Sequence, residues 1–215
     1  MSPESCPPTK PGQYPSDCEI LEGYRAMARN QPAGPIRSAA WQAALARARH
    51  VNILLLDVDG VLTDGSIIFS HEGQESKAFN TQDGFGLRLL QEAGLEIGVI
   101  TARSSEAVAR RCANLKMRYV FQGVGNKLDA YKDILAQSGC KPFEIGYMGD
   151  DWLDLVLLNR AGLSAAPANA VPEIKEAVHY ITEQSGGHGA VREICNLILE
   201  AKGRYQELLQ RYISR

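Results

Sequence analysis

The chain has 215 residues, 45% of them hydrophobic, and its 23 lysines and arginines against 25 aspartates and glutamates leave a formal net charge of -2. That is enough apolar material for one sizeable core, and it gives no basic field for gripping nucleic acid or anionic lipid. Cysteines scattered at 6, 18, 112, 140 and 195, with no CxxC pair, point to neither a disulfide framework nor a zinc site, and so favour a reducing cytoplasm.

In chain order, prolines recur through residues 1–37 without sustained periodicity, which predicts an extended or disordered arm. The opening "MSPESCPPTKPGQYPSD" has neither the basic start nor the apolar stretch of a secretory signal, and no later run approaches the roughly 20 apolar residues that span a bilayer. "SAAWQAALARARH" (38–50) reads as a Ser-capped helix feeding the strand "VNILLLD" (51–57). The strand-like runs at 95–101, 119–122, 145–150, 162–166 and 179–182 then alternate with helical patterns. These cover Phe85–Ala93, Ser105–Leu115, Lys127–Gln137, Leu153–Asn159 and Glu173–Ala177.

Such alternation implies right-handed crossovers and an α/β, doubly wound, mainly parallel sheet. One stretch breaks the rhythm: "SIIFSHEGQESKAFN" (66–80) predicts a β-hairpin inserted after the first strand, as a flap over a site or an oligomer contact. Val191, Ile194, Cys195, Ile198 and Leu199 share one helical face near the end. The expected division is an arm (1–37), an α/β domain (38–202) and a helical tail (203–215).

In an open parallel sheet, ligands bind beyond the carboxyl ends of the strands. Asp57, Thr101 and Asp150 all fall at such ends. Asp59 lies two residues past Asp57, so both side chains can face one cavity while Val58 points into the core, and Gly60 lets the backbone turn closely. With Asp151 and Asp154 behind Asp150, the result is an all-oxygen, strongly negative pocket suited to Mg2+. Asp151 and Asp154 read equally as caps of the following helix, and Trp41 and Trp152 read as packing groups.

"DVDGVLTDG", "ITARS", Asn126–Lys127 and "GDDWLD" stand in the order and spacing of the motifs of the haloacid dehalogenase superfamily of phosphotransferases, and the chain resembles that family over residues 50–200. The resemblance implies a Rossmann-like fold, a nucleophilic Asp57, a general acid and base in Asp59, and phosphoryl contacts from Thr101 and Lys127. It also implies Mg2+ held by Asp57, the Asp59 main-chain carbonyl and Asp150.

The hairpin in place of a cap, "KAFNTQDGFG", "FQG" and "GGHGAVRE" resemble the capless subgroup that includes phosphatases of 3-deoxy-D-manno-octulosonate 8-phosphate, which serve lipopolysaccharide synthesis. That subgroup implies a homotetramer with active sites near subunit interfaces. It also implies substrate contacts from Gly60, Lys77, Asp83, Ala102, Arg103, Asn126 and His188. Arg103 suits a sugar carboxylate, and stands where relatives acting on the nine-carbon acid carry glutamate. Ala102 and His188 depart from the subgroup's usual glycine and arginine. The alternatives are a phosphatase of the nine-carbon acid phosphate and a weakly active assembly partner of a sugar-acid nucleotidyltransferase.

Overall fold

The computed structural model describes Ile20 and residues 37–214. The expected arm over residues 1–37 lies outside the described residues, apart from Ile20 and Arg37. In chain order the elements are α1 (Ala39–Ala48), β1 (Ile53–Leu56), β2 (Ile68–Phe69), β3 (Glu75–Ser76), α2 (Thr81–Glu92), β4 (Glu96–Ile100), α3 (Glu106–Asn114) and β5 (Tyr119–Phe121). There follow α4 (Lys127–Ser138), β6 (Ile145–Met148), a 3-10 turn (Trp152–Asp154), α5 (Leu155–Leu158), β7 (Leu163–Ala166), α6 (Pro172–Ala177), β8 (Tyr180–Ile181), α7 (Ala190–Ala201) and α8 (Tyr205–Ile213).

Six strands form one sheet in the order β5-β4-β1-β6-β7-β8, with every neighbouring pair parallel. The chain winds outward from β1 through β4 to β5, then returns to β1's other side with β6. That reversal opens a crevice at the carboxyl ends of β1, β4 and β6, where doubly wound folds place ligands. β2 and β3 pair antiparallel as a separate two-stranded hairpin, Ile68 opposite Ser76 and Phe69 opposite Glu75, as the sequence predicts.

β1 is buried on both faces, and its side chains divide with the period of two that a strand imposes. Ile53 and Leu55 pack with Tyr131 and Ile134 of α4, Leu157 of α5 and Ile174 of α6. Leu54 and Leu56 face the opposite way, into a cluster with Trp41 of α1, Leu87 and Leu90 of α2, and Ile194 and Ile198 of α7. Burial of each of these leucines contributes roughly 2 kcal/mol, so β1 and the residue that follows it are rigidly seated.

Local caps set the helix starts. Ser38 Oγ accepts from Trp41 N at 3.2 Å, as expected. Asn80 Oδ1 accepts from Gln82 N at 2.7 Å and from Asp83 N at 3.3 Å, so α2 begins at Thr81, earlier than the expected Phe85. Gly84 and Gly86 lie inside α2, although glycine weakens an isolated helix. Here they allow close approach, since a Cβ on Gly86 would lie 3.2 Å from the Arg192 Cα of α7. The two tryptophans part company: Trp41 is buried, whereas Trp152, expected to pack, is 61% exposed.

Candidate active site

β1 delivers Asp57 into the crevice, and Asp57 N extends the pairing by donating to Met148 O at 3.0 Å. The chain then turns sharply, with Val58 O accepting from Leu62 N at 2.9 Å and Thr63 N at 3.1 Å. Val58 and Val61 pack into the core, which aims Asp57 and Asp59 away from it. Gly60 adopts φ +84°, and a Cβ there would sit 2.0 Å from Asp150 Oδ2, so the turn passes directly beside that carboxylate.

Lys127, the first residue of α4, is buried among acids. Its Nζ donates to Asp57 Oδ1 at 2.8 Å and to Asp154 Oδ1 at 2.6 Å, and lies 3.4 Å from the Tyr147 hydroxyl. Asp154 is saturated: Oδ1 also accepts from Tyr147 OH at 2.5 Å, while Oδ2 accepts from Asp150 N at 3.0 Å and Asp151 N at 3.3 Å. It therefore caps the turn and orients Lys127, leaving Asp57 and Asp150 as the carboxylates with open coordination.

Oxygens of Asp57, Asp150 and Asp154 come within 4.8 Å of one another. Burial, then repulsion from Asp154, pushes Asp57 up to about 6 against the opposing pull of Lys127. The same causes, joined by repulsion from Asp57, push Asp150 up to about 7. Carboxylates held this close in oxygen-only surroundings fit a hard divalent cation such as Mg2+, which would relieve that repulsion. Asp59 is absent from this carboxylate group and enters the expected ligand set only through its main-chain carbonyl.

A second set of charges closes the rim. Lys77 Nζ hydrogen-bonds Asp59 Oδ1 and lies 2.9 Å from Glu75 Oε1. Arg103 Nε lies 3.6 Å from Asp59 Oδ2, and its Nη2 lies 3.2 Å from Glu75 Oε2. Glu75, Lys77, Asp59 and Arg103 thus form a closed ring of alternating charge that ties the hairpin to the turn after β1. Thr101 is buried at the end of β4, its Oγ1 accepting from Arg103 N at 3.4 Å.

The resulting cavity, about 260 Å³, is lined by Asp57, Asp59, Thr101, Ala102, Arg103, Lys127 and Asp150, together with Gly65, Asp151, Leu153 and Asp154. A larger cleft of about 740 Å³ between the hairpin and α3 shares Glu75 and Lys77 with the rim but holds none of the convergent carboxylates. The remaining expected contacts stand elsewhere. Asn126 caps α4 through Leu128 N at 3.1 Å, His188 is exposed, and Asp83 is buried against α7; none of them lines the cavity.

Sequence reasoning missed Tyr147 and Glu75. Glu75 was accessible to it, since a residue two before Lys77 on a strand shares its face. Tyr147 was not, because an aromatic in a buried strand reads as core.

A haloacid dehalogenase-like hydrolase family model matches residues 119–194. The 3-deoxy-D-manno-octulosonate 8-phosphate phosphatase of Escherichia coli K12 is 42% identical over 163 residues, covering 76% of this chain and 87% of that protein. The Yersinia pestis protein of the same name is 40% identical over 160 residues, covering 74% and 86%. Among solved structures, the same phosphatase from Moraxella catarrhalis, in complex with magnesium, phosphate and the sugar acid, superposes with a TM-score of 0.77 at 37% identity. That match covers 79% of this chain and 97% of the other. The geometry and these likenesses agree, and the chain belongs to the haloacid dehalogenase-like hydrolases, in the family of 3-deoxy-D-manno-octulosonate 8-phosphate phosphatases.

Proposed function

We propose that the chain hydrolyses 3-deoxy-D-manno-octulosonate 8-phosphate to the free sugar acid and inorganic phosphate, in the synthesis of lipopolysaccharide precursors. The observation that carries this reading is the buried Asp57, its Oδ1 2.8 Å from Lys127 Nζ, in one cavity with Asp59 and Arg103.

In this reading an Asp57 oxygen attacks phosphorus in line with the ester oxygen, and the ester P–O bond breaks as Asp59 gives its proton to the departing alkoxide. The Asp59 carboxylate then takes a proton from water. The water oxygen attacks the aspartyl-phosphate at phosphorus, releasing inorganic phosphate and restoring the Asp57 carboxylate. Lys127 and Thr101 donate to the non-bridging oxygens, with main-chain amides of the turn around Gly60 adding further donors. Asp57, Asp150 and the Asp59 main-chain carbonyl would hold Mg2+, which when bound supplies positive charge to the phosphoryl oxygens.

Arg103 and Lys77, at the rim, suit the substrate carboxylate, with Glu75 occupying them in its absence. Ala102 lines the same wall, so the methyl that replaces the subgroup's usual hydrogen borders the substrate space.

Assembly as a homotetramer is part of this proposal, supported by Ile67, Ile68 and Phe69 standing 49%, 50% and 61% exposed on the hairpin. A cytoplasmic location completes it; no helix among the described residues is long and apolar enough to cross a membrane. The test is phosphate release from phosphorylated sugar acids of graded chain length, with and without Mg2+. The expected result is Mg2+-dependent turnover with the eight-carbon acid preferred. Preference for the nine-carbon acid would reassign the substrate, and no release from any would end the reading.

A further inference from the structure

The Gly186–Gly189 segment, whose His188 does not line the cavity, packs on the turn after β1 more closely than any side chain could. A Cβ on Gly186 would lie 1.8 Å from Gly60 O, and one on Gly187 would lie 2.6 Å from Asp64 N. Gly187 N donates to Val61 O at 3.0 Å. Asn169 bridges the two segments, accepting from Gly186 N at 2.7 Å and donating to Gly60 O at 3.2 Å.

On its other side the segment is gripped by the first turn of α2. Asn80 Nδ2 donates to Gly187 O at 3.3 Å. Asp83, 1% exposed, accepts from Gly189 N at 3.3 Å and from Arg192 N at 2.7 Å. These donors open α7, whose own N-cap is Gly189 at φ +108°, a residue with no side chain to cap anything. Asp83 therefore supplies, from another helix, the cap that α7 lacks, and its negative charge suits that helix end.

We infer that Asp83 is a positioning residue, which holds the Gly186–Gly189 segment against the Gly60–Asp64 turn and so fixes the direction of Asp59. Its link to the chemistry is mechanical: Asp83 holds Gly189 by a hydrogen bond, the main chain carries that hold back to Gly187 and Gly186, and these bond Val61 directly and Gly60 through Asn169. The inference rests on the phosphatase reading for its kinetic consequence only, since the bracket itself is a matter of geometry.

The test compares wild type with Asp83→Asn, which is isosteric but has one oxygen replaced by a donor, and Asn80→Ser, which keeps a hydroxyl cap for α2 while losing the bond to Gly187. Each variant is assayed with Mg2+ on an aryl phosphate and on the octulosonate phosphate, alongside thermal unfolding and the amide resonances of Gly60 and Val61. Asp83→Asn is expected to lower kcat about tenfold or more on both substrates, with KM within about twofold, and to displace both amide signals in protein still folded at the assay temperature. Asn80→Ser should lower kcat about threefold in the same pattern.

Unchanged kcat and unmoved amide signals in folded Asp83→Asn would overturn the inference, as would a raised KM with kcat intact, the mark of direct substrate contact. Should Asp83→Asn not fold, Asn80→Ser decides by the same criteria. Should wild type release no phosphate, the phosphatase reading fails and the amide displacements alone decide the bracket.

Discussion

Asp57 and Lys127 are two halves of one device. The ammonium between Asp57 and Asp154 keeps a buried carboxylate ionisable and aimed, and Asp57→Asn removes the charge of the oxygen proposed to attack while preserving its shape. Turnover of an aryl phosphate is expected to fall at least about a thousandfold, roughly 4 kcal/mol of barrier, with thermal unfolding little changed. Lys127→Met leaves Asp57 and Asp154 facing each other unneutralised, and a loss of about 3 kcal/mol of stability is expected in chemical denaturation at neutral pH.

Asp150 predicts a pH effect of definite sign. Its folded pKa, about 7, lies above the ordinary value of 3.8, so between those limits the folded chain binds more protons than the unfolded one and its stability declines as pH rises. Without metal, Asp150→Asn and wild type should unfold alike near pH 4. Above pH 7 the variant should be the more stable, and Mg2+ should narrow that gap by stabilising wild type alone. Equal melting temperatures at pH 8 would refute this.

At this scale the site was legible wherever an acidic, basic or hydroxyl residue sits at a strand end, as Asp57, Thr101 and Asp150 do. Asp83 was named as a substrate contact, but its place against α7 was illegible because its partners are the main-chain amides of Gly189 and Arg192, more than a hundred residues on. An amide group carries no signature in the sequence.

Among the elements, α2 shows where propensity misleads. Glycine weakens an isolated helix, so "DGFG" reads as a boundary. Packing overrides that preference, because only glycine lets α2 and α7 approach so closely. Gly86→Ala would gain helix propensity yet place a methyl 2.9 Å from Arg192 Cδ and 3.2 Å from Cys195 Cβ. The crowding is expected to win, with a net loss of about 1–3 kcal/mol measured by urea unfolding. The hairpin was read correctly because two short strand-like runs flank a polar "HEGQ" turn. Its tie to Asp59 was not, because ring closure through Glu75 and Arg103 depends on how the hairpin folds back over the sheet.

For the molecule as a whole, the doubly wound topology followed from alternation alone, since parallel neighbours require crossovers and crossovers have one hand. Assembly did not follow from it. A two-stranded hairpin is marginal by itself, and consecutive exposed Ile67, Ile68 and Phe69 give it apolar residues on both faces. Ile68→Ser combined with Phe69→Ser is expected to shift sedimentation from the proposed tetramer toward smaller species while the sheet's circular dichroism persists. An unchanged sedimentation coefficient would remove the hairpin from the interface.

β1, which seats Asp57, has a bonded neighbour along each edge, whereas β3, which leads directly into Lys77 and its bond to Asp59, pairs among the described residues with β2 alone. Strands enclosed on both sides are the last to open in hydrogen exchange, and isolated ribbons are among the first. The seat of Asp57 and the hairpin contact of Asp59 therefore keep different clocks. In dilute denaturant, the grip of Lys77 on Asp59 should loosen while the bed of Asp57 is still intact, so turnover should fall before the sheet itself opens.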